Sequence, residues 1–125
     1  MATREINKDN IESTIQDNAF VVLDFWAAWC GPCRMFGPTF ETASEKNPDI
    51  VFGKIDTEAQ QELAGALNIR SIPTLMVFRD QILLYSQPGA LPAHAFEDLL
   101  KKVRELDMND VRAEVEKAKA EMGAS

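Results

Sequence analysis

A chain of 125 residues is about the size of one domain, long enough to bury a core without staples. Thirteen basic against 20 acidic residues give a formal charge of −7; without a cationic field to draw phosphate backbones, nucleic acid is excluded as the expected partner. The opening MATREINKDN is polar and no apolar run reaches the length of a bilayer span, so a cytoplasmic protein with no membrane partner is expected.

In chain order, Thr3–Ile6 reads as a weak edge strand. Between Asn18 and Ala28 the run AFVVLDFWAA is nearly continuous apolar sequence, the pattern of a strand buried on both faces. Met35–Lys46 takes helical periodicity, Ile50–Ile55 reads as a strand and Glu58–Leu67 as a helix. Thr74–Phe78 and Ile82–Tyr85 are two strands separated by Arg79-Asp80-Gln81, a gap short enough for an antiparallel hairpin. Leu91–Leu106 carries an apolar stripe of Phe96, Leu99, Leu100, Val103 and Leu106, with Lys and Arg near its end. Strands alternating with helices point to an α/β sheet of mixed direction.

The two cysteines stand in Trp29-Cys30-Gly31-Pro32-Cys33-Arg34, between the buried strand and a helix. At a helix N-terminus, Cys30 faces free backbone N–H groups and the positive end of the dipole, which favour a thiolate. Cys33, one turn further in, is expected to be more buried and to remain a thiol. Gly31 and Pro32 suit a tight start to the helix, where a missing N–H costs nothing. A thiolate that attacks a disulfide needs a second thiol nearby to resolve the product. Zinc would need two more ligands, and the chain offers one histidine, His94, and no further cysteine. Redox chemistry is therefore the reading, with no metal and His94 an exposed helix residue.

Asp24 lies inside the apolar strand, on one face with Val22 and Trp26, and Lys54 is the complementary charge in the Val51–Ile55 run. A buried ion pair is one reading. A carboxylate of raised pKa that takes the proton of Cys33 is the other, and its place under the dithiol favours it. In Ile72-Pro73-Thr74 a proline begins a strand, as a trans or a cis bond.

With WAAWCGPCR, Asp24 in the preceding strand and SIPT some forty residues later, the chain resembles the thioredoxin family from about Ile6 to Leu106. Pro38, Lys54 and Gly89 add to the match, and the flavour is bacterial. The resemblance implies a thioredoxin fold: a central mixed five-stranded sheet flanked by about four helices, here with a C-terminal helical extension. It implies a protein-disulfide reductase in which Cys30 attacks, Cys33 resolves, and Asp24 with Lys54 beside it accepts the proton. Cys30 and Cys33 would form the redox disulfide. Pro73 would be a cis-proline against the dithiol, and Trp29, Gly31, Pro32, Ile72, Pro73, Gly89 and Ala90 would meet the substrate. Pro38 would kink the long helix and Trp26 would be core. The chain would bind no cofactor itself. Its partners would be disulfide-containing client proteins and an NADPH-dependent flavoprotein, thioredoxin reductase, and it would act as a monomer.

Five residues depart from the pattern. Arg34 stands for the usual lysine, Thr57 and Pro88 for aliphatic groove residues, and Asp80-Gln81 lacks the usual glycine at the hairpin turn. The expected division is a domain over 1–106 and a helical tail over 107–125. In the tail the stripe of Met108, Val111, Val115, Ala118 and Met122 lies roughly 100° from that of Phe96–Leu106. One straight helix would carry both on different faces, so a separate short helix or mobile appendage is expected, N-capped by Asp107 with Leu106 stapling to Val111. A binding module that clamps a partner in the same groove without turnover is the competing function.

Overall fold

The computed structural model describes residues 2–124. Its centre is one five-stranded sheet in the order β1-β3-β2-β4-β5, built from β1 (Thr3–Glu5), β2 (Phe20–Trp26), β3 (Val51–Asp56), β4 (Thr74–Arg79) and β5 (Ile82–Pro88). The first three strands run parallel, while β4 is antiparallel to both β2 and β5. β2 is central and buried on both faces, as its apolar run, interrupted only by Asp24, requires.

Helices α2 (Gly31–Lys46) and α4 (Ala93–Glu105) cover one face. There Phe36, Phe40, Phe52 and Phe96 meet Val22, Leu75 and Leu100, the rings 5.3–6.3 Å apart in tilted, edge-on and stacked pairs. Helices α1 (Ile11–Asp17) and α3 (Gln61–Ala66) lie over the other, against Leu23, Phe25 and Ile55. Helix α1 has no counterpart in the sequence reading. The helix expected from Met35 begins four residues earlier at Gly31, and α3 is shorter than Glu58–Leu67.

The hairpin is as tight as its sequence spacing suggests. Arg79 pairs with Ile82, leaving a two-residue turn in which Asp80 (φ 52°) and Gln81 (φ 70°) both take left-handed backbone.

The predicted break after α4 is present. Leu106 is extended, and Arg79 Nη1 donates to the carbonyls of Val103, Arg104 and Leu106 at 3.0, 3.2 and 2.9 Å. The last carbonyls of a helix lack intrahelical donors, and the guanidinium serves them, although Val103 also accepts the Leu106 N–H at 3.3 Å. Asp107 Oδ1 accepts the Asn109 N–H at 2.9 Å, and α5 (Met108–Ala124) begins. At 17 residues it is no short helix. Leu106 remains 41 % exposed and Met108 is the buried residue here, so Met108 rather than a Leu106 staple roots the tail.

Candidate active site

Strand β2 delivers the chain to the site, and a turn returns the Cys30 N–H to the Ala27 carbonyl at 3.2 Å. Helix α2 then starts with Cys30 as its N-cap residue, extended at φ −87°, ψ 113°. The usual cap is a side-chain oxygen accepting a free N–H of the first turn. Here the acceptor is sulfur: the Cys33 N–H points at Cys30 Sγ, 3.2 Å away. Gly31 and Pro32 fill the first two helical positions, where proline gives up no bond.

Cys30 and Cys33 are joined as a disulfide with Cα atoms 5.2 Å apart. Each is 4 % exposed, so Cys33 is not the more buried of the two. Both lie in an apolar cluster with Ala27, flanked by Trp26 and Ile72.

Opposite the dithiol, the Ile72–Pro73 peptide bond is cis. It turns the Ile72 carbonyl oxygen to within 3.7 Å of Cys30 Sγ. The Pro73 carbonyl accepts the Gly89 N–H at 2.8 Å, and Gly89 needs glycine's freedom at φ +115°. Ala90 follows, exposed, and shares a surface cavity of about 310 Å³ with Met35, Phe36 and Pro92. Trp29 is 66 % exposed and its Nε1 donates to Glu58 Oε1 at 2.7 Å. Sequence reasoning missed Glu58, because only the fold brings the end of β3 beside the end of β2.

The departures settle around this frame. Arg34 reaches back to the Ala28 carbonyl at 3.0 Å. Thr57 ties its loop to β2, its N–H and hydroxyl both donating to the Trp26 carbonyl at 2.9 and 3.0 Å. Pro88 is exposed opposite Thr74, at the end of β5. Pro38 sits inside α2 and withholds the N–H that would otherwise bond the Arg34 carbonyl. His94 is exposed on α4.

Asp24 is 1 % exposed with Oδ1 unpartnered. Burial pushes its carboxyl from 3.8 up to about 7, against a smaller downward pull from Lys54. The two residues are register partners on β2 and β3. Lys54 Nζ nevertheless lies over the Trp26 ring, 5.0 Å from its centroid. Trp26 is half-buried rather than core, although its Nε1 is buried with no partner.

A helix whose first turn is capped by one member of a cystine, facing the carbonyl of a cis-prolyl bond, is machinery for disulfide exchange; the class is that of thiol–disulfide oxidoreductases. The thioredoxin family model matches residues 2–102. A Streptomyces coelicolor protein carrying the name thioredoxin 2 is 54 % identical over 122 residues, 98 % of this chain and 91 % of its own length. The Bacillus subtilis thioredoxin is 40 % identical over 83 residues, 66 % of this chain and 80 % of its own. Among solved structures, a variant thioredoxin from Halobacterium salinarum superposes with a TM-score of 0.76 at 35 % identity, covering 82 % of this chain and 91 % of that one. The Plasmodium falciparum thioredoxin gives 0.74 at 31 %, covering 80 % and 98 %.

The chain belongs to the thioredoxin family, whose members are protein-disulfide oxidoreductases acting with thioredoxin reductase and disulfide-containing substrates. The family match stops at residue 102, whereas the Streptomyces relative extends through nearly all of α5.

Proposed function

We propose that this chain is a general reductant of protein disulfides, with Cys30 as nucleophile and Cys33 as resolving thiol. The carrying observation is the Cys33 N–H aimed at Cys30 Sγ: a donor there favours the thiolate of Cys30 once the pair is reduced. That thiolate attacks one sulfur of a client disulfide, forming a mixed disulfide and expelling the other client sulfur as a thiolate, which takes up a proton. Asp24 then accepts the Cys33 proton, and the Cys33 thiolate attacks Cys30 Sγ. The second client thiol is released and the Cys30–Cys33 disulfide remains. Two electrons pass to the client.

The substrate-binding reading supports the same geometry. An extended client strand lies against Ile72 and the cis-prolyl turn, between exposed Trp29 and Gly89-Ala90, with Gly31 and Pro32 beside it at the start of α2. An NADPH-dependent flavoprotein thioredoxin reductase returns the disulfide to the dithiol, in the cytoplasm, with the chain monomeric. Residues 1–106 do this work, and the tail over 107–125 is an appendage that carries α5 (Met108–Ala124). Among the described residues no helix is long and apolar enough to cross a membrane.

Cys33→Ser tests the assignment. It should trap a mixed disulfide on Cys30 with a disulfide-bonded client, seen as a covalent adduct by mass spectrometry. Cys30→Ser should trap none. In the reduced parent, iodoacetamide near pH 7 should modify Cys30 well before Cys33. Adducts forming equally on either cysteine would reverse or erase the roles, and retention of a client by Cys30→Ser without turnover would favour a binding module.

A further inference from the structure

Helix α2 and the segment after β5 enclose a cavity beside the dithiol. Met35 and Phe36 follow Cys33 by two and three residues, within one helical turn of it. Ala90 follows Gly89, whose N–H is held by the Pro73 carbonyl at 2.8 Å. With Thr39, Leu91 and Pro92, these residues line the cavity of about 310 Å³. Phe36 is buried in its wall, and Met35 stands at its mouth, 77 % exposed. Trp29 and Ile72 have no part in it.

The wall decides what can enter. Thr39 is its one polar side chain, and none is charged. Three other cavities all carry charge: Lys46 further along α2, Lys54 beside β1, and Arg70 ahead of Ile72. A wall without ions gains from covering apolar surface, and it offers a buried charge nothing to replace its water. The volume lies at the small end of ligand clefts, which suits a single side chain.

We propose that this cavity is a subsite for one uncharged, apolar side chain of the client, such as leucine, methionine or phenylalanine, within three residues of its reacting cysteine. The inference rests on Cys30 being the nucleophile toward client disulfides. A client joined to Cys30 Sγ has its neighbouring residues within reach of the cavity, because an extended strand advances about 3.3 Å per residue. The cavity is continuous at Ala90 with the groove that receives that strand. It therefore reads the client's sequence on the α2 side, as Trp29 and Ile72 do on the other.

The test isolates attack by Cys30. In the Cys33→Ser protein Cys30 is the sole thiol. It is mixed with short peptides whose single cysteine is disulfide-bonded to a coloured aromatic thiol. Attack by Cys30 Sγ on the peptide sulfur joins the two and expels the aromatic thiolate, whose colour gives the rate. Each position from three before to three after the peptide cysteine is set in turn to leucine, alanine or aspartate. At one position leucine should react about tenfold faster than alanine, and aspartate more slowly than alanine. Thr39→Phe fills the cavity and should bring the leucine-to-alanine ratio there to within about twofold of unity. Met35→Ala, at a site too exposed to endanger the fold, should lower it severalfold. Trp29→Ala should leave that ratio in place. Indifference to the side chain at every position overturns the proposal. So does a leucine preference that survives both cavity variants or vanishes with Trp29→Ala. The reductant reading fails separately, if the preference stands in Cys33→Ser while the protein with both cysteines never releases the peptide thiol.

Discussion

The Arg112 guanidinium, in the first turns of α5, lies 3.1 Å from the Asp80 carboxylate at the tip of the β4–β5 turn. The tip of the hairpin thus receives the tail that the family model does not cover. Both partners are partly exposed, at 50 % and 35 %. Arg112→Ala should therefore cost no more than about 0.5–1 kcal/mol. Ending the chain after Leu106 also removes buried Met108 and should cost about 1–3 kcal/mol. Disulfide reduction should stay within about twofold in both variants, since β4 carries Asp80 at the opposite end from Pro73. Denaturant melts and a reduction assay on the same samples decide it. Lost activity in a folded truncation would make α5 part of the catalytic unit.

Gln81 sits at φ 70°, where side chains other than glycine are strained. Gln81→Gly relieves that strain, gives up an exposed bond from Nε2 to the Gln16 carbonyl at 3.1 Å, and adds unfolded-state entropy. A net gain of about 0.5 kcal/mol is expected, read as a higher urea midpoint at constant slope. A lower midpoint would mean that the tie to α1 outweighs the backbone strain.

Asp24→Asn should stabilise the protein, increasingly so as pH rises. The folded carboxyl titrates at about 7 against 3.8 for the ordinary group, so over that interval the folded state holds a proton that the unfolded chain has released. Stability is whole below about pH 4, declines through the interval, and is lowered in full above about pH 7. Asparagine does not ionise and escapes the penalty. The gain should be near zero at low pH and on the order of 3–4 kcal/mol at about pH 8, while the resolving step slows. Unfolding curves at the two pH values check the sign; equal gains at both would show that Asp24 does not titrate in this window.

Gly53 pairs with Leu23 in the sheet interior. A Cβ there would stand 2.5 Å from Ile6 Cγ1 and 2.9 Å from Leu23 Cδ2, inside any acceptable contact. Gly53→Ala should destabilise by about 1–3 kcal/mol through overpacking, measured by thermal unfolding. A neutral result would mean that Ile6 has another rotamer to retreat to.

Local chemistry was legible in the sequence and lateral placement was not. β2 announces itself because a strand buried on both faces must be apolar at nearly every position, Asp24 being the exception, and the dithiol does so because its partners are neighbours along the chain. The antiparallel hairpin followed from spacing, whereas the left-handed backbone of Asp80 and Gln81 is a finding of the structure. Helix α1 gave no such signal. Its face toward the sheet rests on little more than Ile11 and Ile15. Its start is organised by Asn7 and Asn10, whose side chains accept backbone N–H groups at 2.8–3.1 Å, a device that resembles any polar loop. The neighbours of Lys54 depend on strands lying side by side, so the turn of Nζ toward Trp26 needed the sheet. The equal burial of Cys30 and Cys33 is set by what packs around each of them, which sequence position along a helix does not encode.

The sulfur cap on α2 has one more consequence. Cys30 Sγ, one half of the cystine, is also the acceptor that satisfies a free N–H of the first turn of α2. The redox bond and the helix anchor therefore share one atom, so any change at the sulfur is felt directly at the start of the helix.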